Sequence, residues 1–265
     1  MEVNRTRSAN RDVLRVLQIT DTHLLADEHG LLRGHQTDRS LRAVLDHAAQ
    51  HRVPLDLVIA TGDLAHHAEP EAYDRLRGYF ERLHTPVQCL PGNHDSPGVM
   101  RSCFVPYGIG CADIFDRGCW RIIMLDSVVE AQDWGQLTDS ELARLDQALW
   151  DLSDRYAVVC VHHQPVPIGN PSMDDMGLSN ADEFFRVIDA RTCVRVIMWG
   201  HTHSEFAAMR HRAHLLGTPS TCFQFGASMT GIVITDALPA YRWLWLFPDG
   251  TLETGVTAVP LASRA

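Results

Sequence analysis

Five short stretches of this chain combine carboxylate, amide and imidazole donors: Asp21-Thr22-His23, Gly62-Asp63, Gly92-Asn93-His94-Asp95, His162-His163 and Gly200-His201-Thr202-His203. Each follows an apolar run. Mixed oxygen and nitrogen donors suit iron, manganese, zinc or cobalt better than magnesium or calcium alone. Side chains two apart in an extended segment share a direction, so Asp21 with His23 should offer a carboxylate and an imidazole to one ion, and His201 with His203 two imidazoles. One carboxylate such as Asp63 bridges two ions about 3.5–4 Å apart, and Asn93 adds a neutral amide oxygen. Taken singly, Asp-x-His or Gly-Asp is an ordinary turn or cap. Five such stretches in this order are not explained by a coincidence of caps, and they predict one two-metal site.

The elements that would position these residues are strands buried on both faces, which read as continuous apolar runs and carry ligands beyond their carboxyl ends. Residues 14–20, 56–61, 87–90, 120–126, 156–161 and 194–199 are such runs. Helical spacing fills 37–49, 70–84, 138–150 and 180–190, with a shorter helix after Asp95 reaching Cys103. Thr138 followed by Glu141 is a capping-box pattern. After Gly200 the texture changes to short strands at 206–209, 214–216, 221–225, 232–235, 241–247 and 251–256, which suggests an antiparallel second half closing against the first. The glycines before Asp63, Asn93 and His201 let the backbone turn sharply and approach the ions. Residues 164–179 are turn-rich and read as an active-site loop.

A chain of 265 residues, 45% hydrophobic, is expected to form one core. The working division is an extension over 1–13, one domain over 14–258 and a tail over 259–265. A net charge of −10 without a Lys/Arg run argues against a polymeric nucleic-acid partner. Seven cysteines form no C-x-x-C pair, and Cys89 and Cys160 read as buried free thiols. No apolar run approaches a membrane span, so a soluble cytoplasmic protein is expected, with a homodimer allowed. His29, His35, His47, His51, His84, His211 and His214 read as solvent-exposed, whereas His66 and His67 sit close enough to Asp63 to line the site mouth.

The order D-x-H, G-D, G-N-H-D, H, G-H-x-H resembles the calcineurin-like metallophosphoesterases. The stretches RVLQITDTHL, DLVIATGDLA, LPGNHD, VHHQPVP, GHTH and GTPSTCFQF resemble the bacterial class III 3′,5′-cyclic AMP phosphodiesterases within that superfamily. The resemblance spans about 15–254 and implies an α/β fold, a four-layer αββα sandwich with its dinuclear centre at one end of the two sheets. It implies a first divalent ion held by Asp21, His23, Asp63 and His203, and a second held by Asp63, Asn93, His162 and His201. Iron or manganese is the expected pair, with zinc or cobalt as alternatives. His23, Asp63, Asn93, His94 and His203 would contact the substrate. The family often carries two prolines after its paired histidines, where this chain has Gln164 before Pro165; alignment on Val166-Pro167 makes His162 the ligand and His163 the runner-up.

The implied activity is hydrolysis of 3′,5′-cyclic AMP to 5′-AMP by a metal-activated hydroxide, with His94 contacting the phosphate and protonating the leaving 3′ oxygen. Asp95 is adjacent and could orient His94. Local positive charge would outweigh the acidic whole at contact distance. Other phosphodiesters, such as glycerophosphodiesters or 2′,3′-cyclic nucleotides, and phosphomonoesters would use the same ligands. A non-catalytic scaffold would be expected to have lost some. The segment 217–222 and the loop 164–179 are expected to wall the pocket.

Overall fold

The computed structural model describes residues 13–50, 54–228 and 231–261. His51 and most of the expected terminal extension and tail lie outside them. Strand β1 (Leu14–Ile19) shows how the sequence dictates layering: Leu14 and Val16 face an inner core, while Leu17 and Ile19 face an outer one. The period of two thus sends alternate side chains into two different apolar environments. The same division holds for β2 (Leu57–Thr61), whose Leu57 and Ile59 point inward and Val58 and Ala60 outward.

The first sheet continues with β3 (Val87–Leu90) and a short β4 (Gly110–Cys111). Its outer face is covered by α1 (Thr37–Gln50), α2 (Pro70–Arg82) and α3 (Pro97–Phe104), whose Leu41, Val44, Tyr73, Leu76, Phe80 and Phe104 fill the outer core. The second sheet contains β5 (Ile114–Arg117), β6 (Trp120–Met124), β7 (Tyr156–Cys160), β8 (Val194–Trp199), β9 (Phe206–Arg210) and β10 (Ala213–Gly217). Its outer face packs on α4 (Asp139–Trp150) and α6 (Ala181–Asp189), while a short α5 (Pro171–Asp174) lies within the expected loop. Trp120, Ile122, Val158, Val196 and Met198 meet Leu14, Val16, Leu57 and Leu244 between the sheets. The layers therefore run helix, sheet, sheet, helix, as the resemblance implied.

The expected antiparallel second half is not a separate unit. Strand β13 (Ala240–Leu246) pairs antiparallel with β1, and β14 (Leu252–Ala258) extends that first sheet. Strand β10 runs parallel to β8 in the second sheet, and β9 is antiparallel to β10. Among the described residues, only β11 (Gln224–Gly226) and β12 (Val233–Thr235) form a ribbon of their own. The cause is edge pairing: one side of each sheet satisfies its backbone groups with strands from the late part of the chain. Thr138 caps α4, its side chain accepting from Glu141 N at 3.2 Å, whereas the Glu141 carboxylate turns to Arg144 and Asp126 N rather than closing the box. Cys89 and Cys160 are buried free thiols. His35, His47 and His214 are half-buried, against the expected exposure; His47 Nδ1 lies 3.2 Å from the Tyr241 hydroxyl, and His35 packs on Phe223.

At the carboxyl end the sheets are joined by a buried polar clamp. Gln18 Nε2 donates to Thr61 Oγ1 at 2.9 Å and to Trp199 O at 3.3 Å, and Thr218 Oγ1 donates to Gln18 Oε1 at 2.5 Å. Arg242 Nε donates to the same Thr218 oxygen at 3.0 Å. Replacing one member of such a network strands the others in low dielectric. Gln18→Leu should lower unfolding free energy by about 1–3 kcal/mol through the orphaned groups, read from the shift in urea midpoint at unchanged m; a midpoint equal to the parent's would show that the clamp carries no net stability.

Candidate metal centre

Asp21 and His23 leave β1, Asp63 leaves β2, Asn93 and His94 leave β3, His162 leaves β7 and His201 and His203 leave β8. The seven expected ligands and His94 converge at one end of the two sheets. The reason differs from the one expected for the paired motifs. Asp21, His23, His201 and His203 are not extended: their φ angles are 52°, 43°, 61° and 43°, and Asp63 has φ 52°. Non-glycine residues rarely adopt this left-handed region, at a cost of about 1–3 kcal/mol each, and such residues cluster at functional sites. The conformation is held by hydrogen bonds between strand exits, from Asp21 N to Gly62 O at 2.9 Å and from His23 N to Asp63 O at 2.9 Å. Both paired motifs thus turn twice, and each turn aims a donor at the gap between the sheets.

The glycines act by removing bulk. A Cβ on Gly92 would lie 2.2 Å from Asp63 Oδ1 and one on Gly200 would lie 2.0 Å from Thr20 Oγ1. Gly62 also has φ +95°.

Around Asp63 the donors fall into two groups. Its Oδ2 lies 3.5 Å from His23 Nε2, and its Oδ1 lies 3.4 Å from His162 Nε2. On the first side, His23 Nε2 is 3.1 Å from His203 Nε2, and His203 Nε2 is 3.6 Å from Asp21 Oδ1. Two imidazole nitrogens bound to one ion at about 2.0–2.1 Å sit roughly 2.9–3.4 Å apart, so this spacing fits shared ligation. On the second side, His162 Nε2 is 3.2 Å from Asn93 Oδ1, and His201 Nε2 is buried without a hydrogen-bond partner. Asp21, His23 and His203 form one group of donors able to hold an ion, Asp21, Asp63 and His162 another, and His162, His163 and His201 a third.

Tautomers are fixed from behind. His203 Nδ1 donates to Phe223 O at 2.7 Å and His162 Nδ1 to Thr61 O at 2.7 Å, which leaves each Nε2 lone pair facing the centre. This separates the paired histidines. His162 faces Asp63 and Asn93, whereas His163 Nδ1 bonds the Ser127 hydroxyl at 2.8 Å and its Nε2 has no partner.

The electrostatics call for cations. Burial, with Asp63 adding to it, pushes Asp21 up to about 8, although His162 opposes the rise. Burial would raise Asp63 too, but His162 and His23 hold it well below the usual carboxylate range. Burial would lower His162, yet Asp63 and then Asp21 outweigh it and push it up to about 9. Burial brings His201 and His203 to about 3, so both are neutral donors. Metal ions between these groups would replace protons on Asp21 and His162.

His23, Asp63, Asn93, His94, His201 and His203 line a cleft of about 230 Å³ with His66, Arg33, Asp133, Met173, Met176, Phe223, Phe225 and Ile232, while Asp21 and His162 are fully buried. All five residues expected to contact substrate are on its wall. So are Met173 and Met176 of the expected loop. The segment 217–222 is not: Thr218, Ser220 and Thr221 are fully buried, and Ser220 Oγ donates to Asp21 O at 2.8 Å. It buttresses Asp21 from behind, and the wall role passes to Phe223 and Phe225, which follow it directly. Asp95 does not orient His94. Its carboxylate accepts from Leu64 N, Ala65 N, Gly92 N and the Tyr73 hydroxyl at 2.8–3.1 Å, which ties two loops and helix α2 together. His94 is held instead through Nδ1 to His66 O at 3.0 Å. His66 lines the cleft as expected, and burial with His94 and His67 brings it to about 4; His67 is exposed. Arg33 lies outside any motif, and no local pattern marks it; Phe223 and Phe225 belong to the stretch GTPSTCFQF, whose wall role was expected of its first six residues.

Two parallel-rich sheets enclosed by helices, with a carboxylate between two sets of imidazoles at one end, define a metallohydrolase architecture. A model of the calcineurin-like phosphoesterase family matches residues 14–205, and the chain belongs to that family. It is 37% identical over 247 residues to a 3′,5′-cyclic-nucleotide phosphodiesterase of Nostoc sp., covering 93% of each chain. It is 35% identical over 256 residues to the 3′,5′-cyclic adenosine monophosphate phosphodiesterase CpdA of Pseudomonas aeruginosa, covering 97% of this chain and 93% of the other. Among solved structures it shares its fold with a dimetal phosphatase from Danio rerio, at TM-score 0.64 and 15% identity over 88% of this chain and 93% of that one. Among the described residues no helix is long and apolar enough to cross a membrane.

The close approach of Gly92 to Asp63 gives a test. Gly92→Ala should disrupt the carboxylate of Asp63 and reduce bound metal below two ions per chain by elemental analysis, with far-ultraviolet circular dichroism unchanged. Gly98→Ala, where a Cβ meets nothing within 4 Å, is the control and should keep the parent's metal content. Full metal content in Gly92→Ala would refute the close-packing argument.

Proposed function

We propose that the protein hydrolyses 3′,5′-cyclic AMP to 5′-AMP with two divalent ions, iron or manganese in preference to zinc or cobalt. Asp21, His23, Asp63 and His203 would hold one ion, and Asp63, Asn93, His162 and His201 the other. The observation that carries the two-ion reading is Asp63, whose two oxygens face different histidines. The substrate rests on relatives named as 3′,5′-cyclic nucleotide phosphodiesterases, matched along more than nine-tenths of this chain. Bound divalent ions lower the pKa of water and neutralise phosphate oxygens.

The chain's own residues supply the rest. Because a carbonyl only accepts, the bond to His66 O fixes the hydrogen of His94 on Nδ1 and leaves Nε2 as the nitrogen that gains a proton and hands it to the leaving 3′ oxygen. Met173, Met176, Phe223, Phe225 and Ile232 present an apolar wall on which a nucleobase can rest while water is excluded. Walls set substrate choice and donors set the reaction.

His94→Ala should keep both ions, since His94 is not among the proposed ligands, yet lose roughly 10²–10⁴-fold in kcat; His162→Ala should lose metal. If His163→Ala instead lowers metal content while His162→Ala leaves it intact, the ligand is His163. For substrate, kcat/KM for cyclic AMP should be compared under matched manganese loading with 2′,3′-cyclic AMP, glycerophosphocholine and p-nitrophenyl phosphate, with the nucleotide product identified. Detectable conversion to 5′-AMP is expected. No turnover of cyclic AMP beside robust activity on another of these would overturn the substrate assignment and leave the phosphoesterase class intact.

A further inference from the structure

His162 and His203 share one device: Nδ1 donates to a backbone carbonyl, Thr61 O or Phe223 O, each at 2.7 Å. His23 has no such carbonyl. Its Nδ1 lies 3.2 Å from Nδ1 of another imidazole, His66. With His23 Nε2 at 3.1 Å from His203 Nε2 and 3.5 Å from Asp63 Oδ2, the side of His23 facing the centre is Nε2. For that nitrogen to act as a ligand, Nδ1 must carry the hydrogen, and His66 Nδ1 is the atom placed to accept it.

The pairing is built into the backbone. Beyond β1 and β2 the two segments continue as a parallel bridge between Leu24 and Ala65, with Leu24 N donating to Leu64 O at 3.1 Å and His66 N to Leu24 O at 2.9 Å. That bridge fixes His23 against His66. The ring of His66 also lies 4.4 Å from that of His94, centroid to centroid and 21° from parallel, while its carbonyl receives His94 Nδ1 at 3.0 Å. One residue therefore touches both a proposed ligand and the proposed proton donor, and it is half-buried at the cleft wall.

We propose that His66 is a positioning residue with two separable duties: its Nδ1 accepts the hydrogen of His23 so that His23 presents Nε2 to a metal ion, and its ring face keeps His94 aligned over the cleft. The inference rests on the two-ion reading above. Because the partner of His23 is a side chain, unlike those of His162 and His203, substitution can remove it without touching the backbone.

Three variants of the full chain separate the duties. His66→Asn retains an acceptor near the place of Nδ1 but no ring. His66→Phe retains a ring but no acceptor, and His66→Ala retains neither. Manganese affinity is measured by titration of the metal-depleted protein, and kcat at saturating manganese with cyclic AMP and 2′,3′-cyclic AMP, whose alkoxide leaving groups need the proton His94 would donate, with thermal melts to verify folding. His66→Phe should weaken the affinity of one manganese site by roughly 10–100-fold, the usual effect of losing a hydrogen-bond partner behind a ligand. His66→Asn should hold affinity within about threefold of the parent and lose kcat with KM little changed; His66→Ala should show both defects. Parent-like affinity in His66→Phe, or affinity in His66→Asn as weak as in His66→Ala, overturns the role toward His23. Parent-like kcat in His66→Asn overturns the role toward His94. A parent chain that binds no manganese removes the two-ion reading itself, whereas a parent holding two ions beside an unaffected His66→Phe removes only the positioning role.

Discussion

The Asp63 carboxylate is the constraint around which the rest of the structure is arranged. It is nearly fully buried, it faces His23 on one side and His162 on the other, and it accepts from His94 N at 2.9 Å. A lone carboxylate taken out of water is expensive, so its environment must return charge of the opposite sign. The protein does this by bringing the carboxyl ends of two sheets face to face, so that donors from β1 to β3 meet donors from β7 and β8. Neither sheet alone carries both sets. The clamp of Gln18, Thr61, Thr218 and Trp199 O ties the sheets at that end, and backbone hydrogen bonds from His201 N to Asp21 at 3.0 and 3.1 Å cross the same gap.

Building such a centre concentrates local strain where packing can bear it. Left-handed backbone at Asp21, His23, Asp63, His201 and His203 is held by hydrogen bonds between the strand exits and made room for by the absence of Cβ atoms at Gly62, Gly92 and Gly200. Asp95 strengthens the same frame by gathering donors from the loops after β2 and β3 and from Tyr73 of α2. Burial and the nearby Asp63 push its carboxyl group up, and the backbone hydrogen bonds from Ala65, Gly92 and Leu64 oppose that rise.

Much of this was legible in the sequence, for a physical reason. Strands β1, β2, β3, β7 and β8 are largely buried, so their apolar runs are broken only by single polar residues such as Arg15, Gln18, Gln88 and Arg195, and their ends are sharply marked by polar donors. Two of the edges were not legible. Strand β4 is two residues long, and β5 is a mostly exposed edge strand reading IFDR, so neither yields a hydrophobic period. The pairing of β1 with β13 joins Leu14 to Leu246, a partnership that no local pattern encodes. At the site, residue types revealed the donors but not their aim. Extended geometry was expected for the paired motifs, and left-handed turns achieve the same convergence. Asp95 sits beside His94 in sequence yet points into the loops, because neighbouring residues diverge. His66 acquires its contacts from a bridge between two loops, which only the three-dimensional pairing of Leu24 with Ala65 supplies.

The charge distribution links the donors to the order in which ligands can bind. The chain carries −10 overall, and among the cleft-lining residues Asp63 and Asp133 are acidic while Arg33 is the cation. His201 and His203 are driven to their neutral forms by burial. Protein groups alone therefore offer an approaching phosphodiester little net attraction, and the long-range field opposes it, screened beyond about 8–10 Å at physiological salt. On the two-ion reading, the attraction that brings a phosphodiester into the cleft comes from cations held by Asp21, Asp63 and the imidazoles, whose short-range field outweighs the diffuse acidic surface. Occupancy of the donor groups then precedes substrate binding for electrostatic reasons. The apolar residues Met173, Met176, Phe223, Phe225 and Ile232 contribute only after the phosphate has been drawn in, which separates the part of the cleft that attracts from the part that selects.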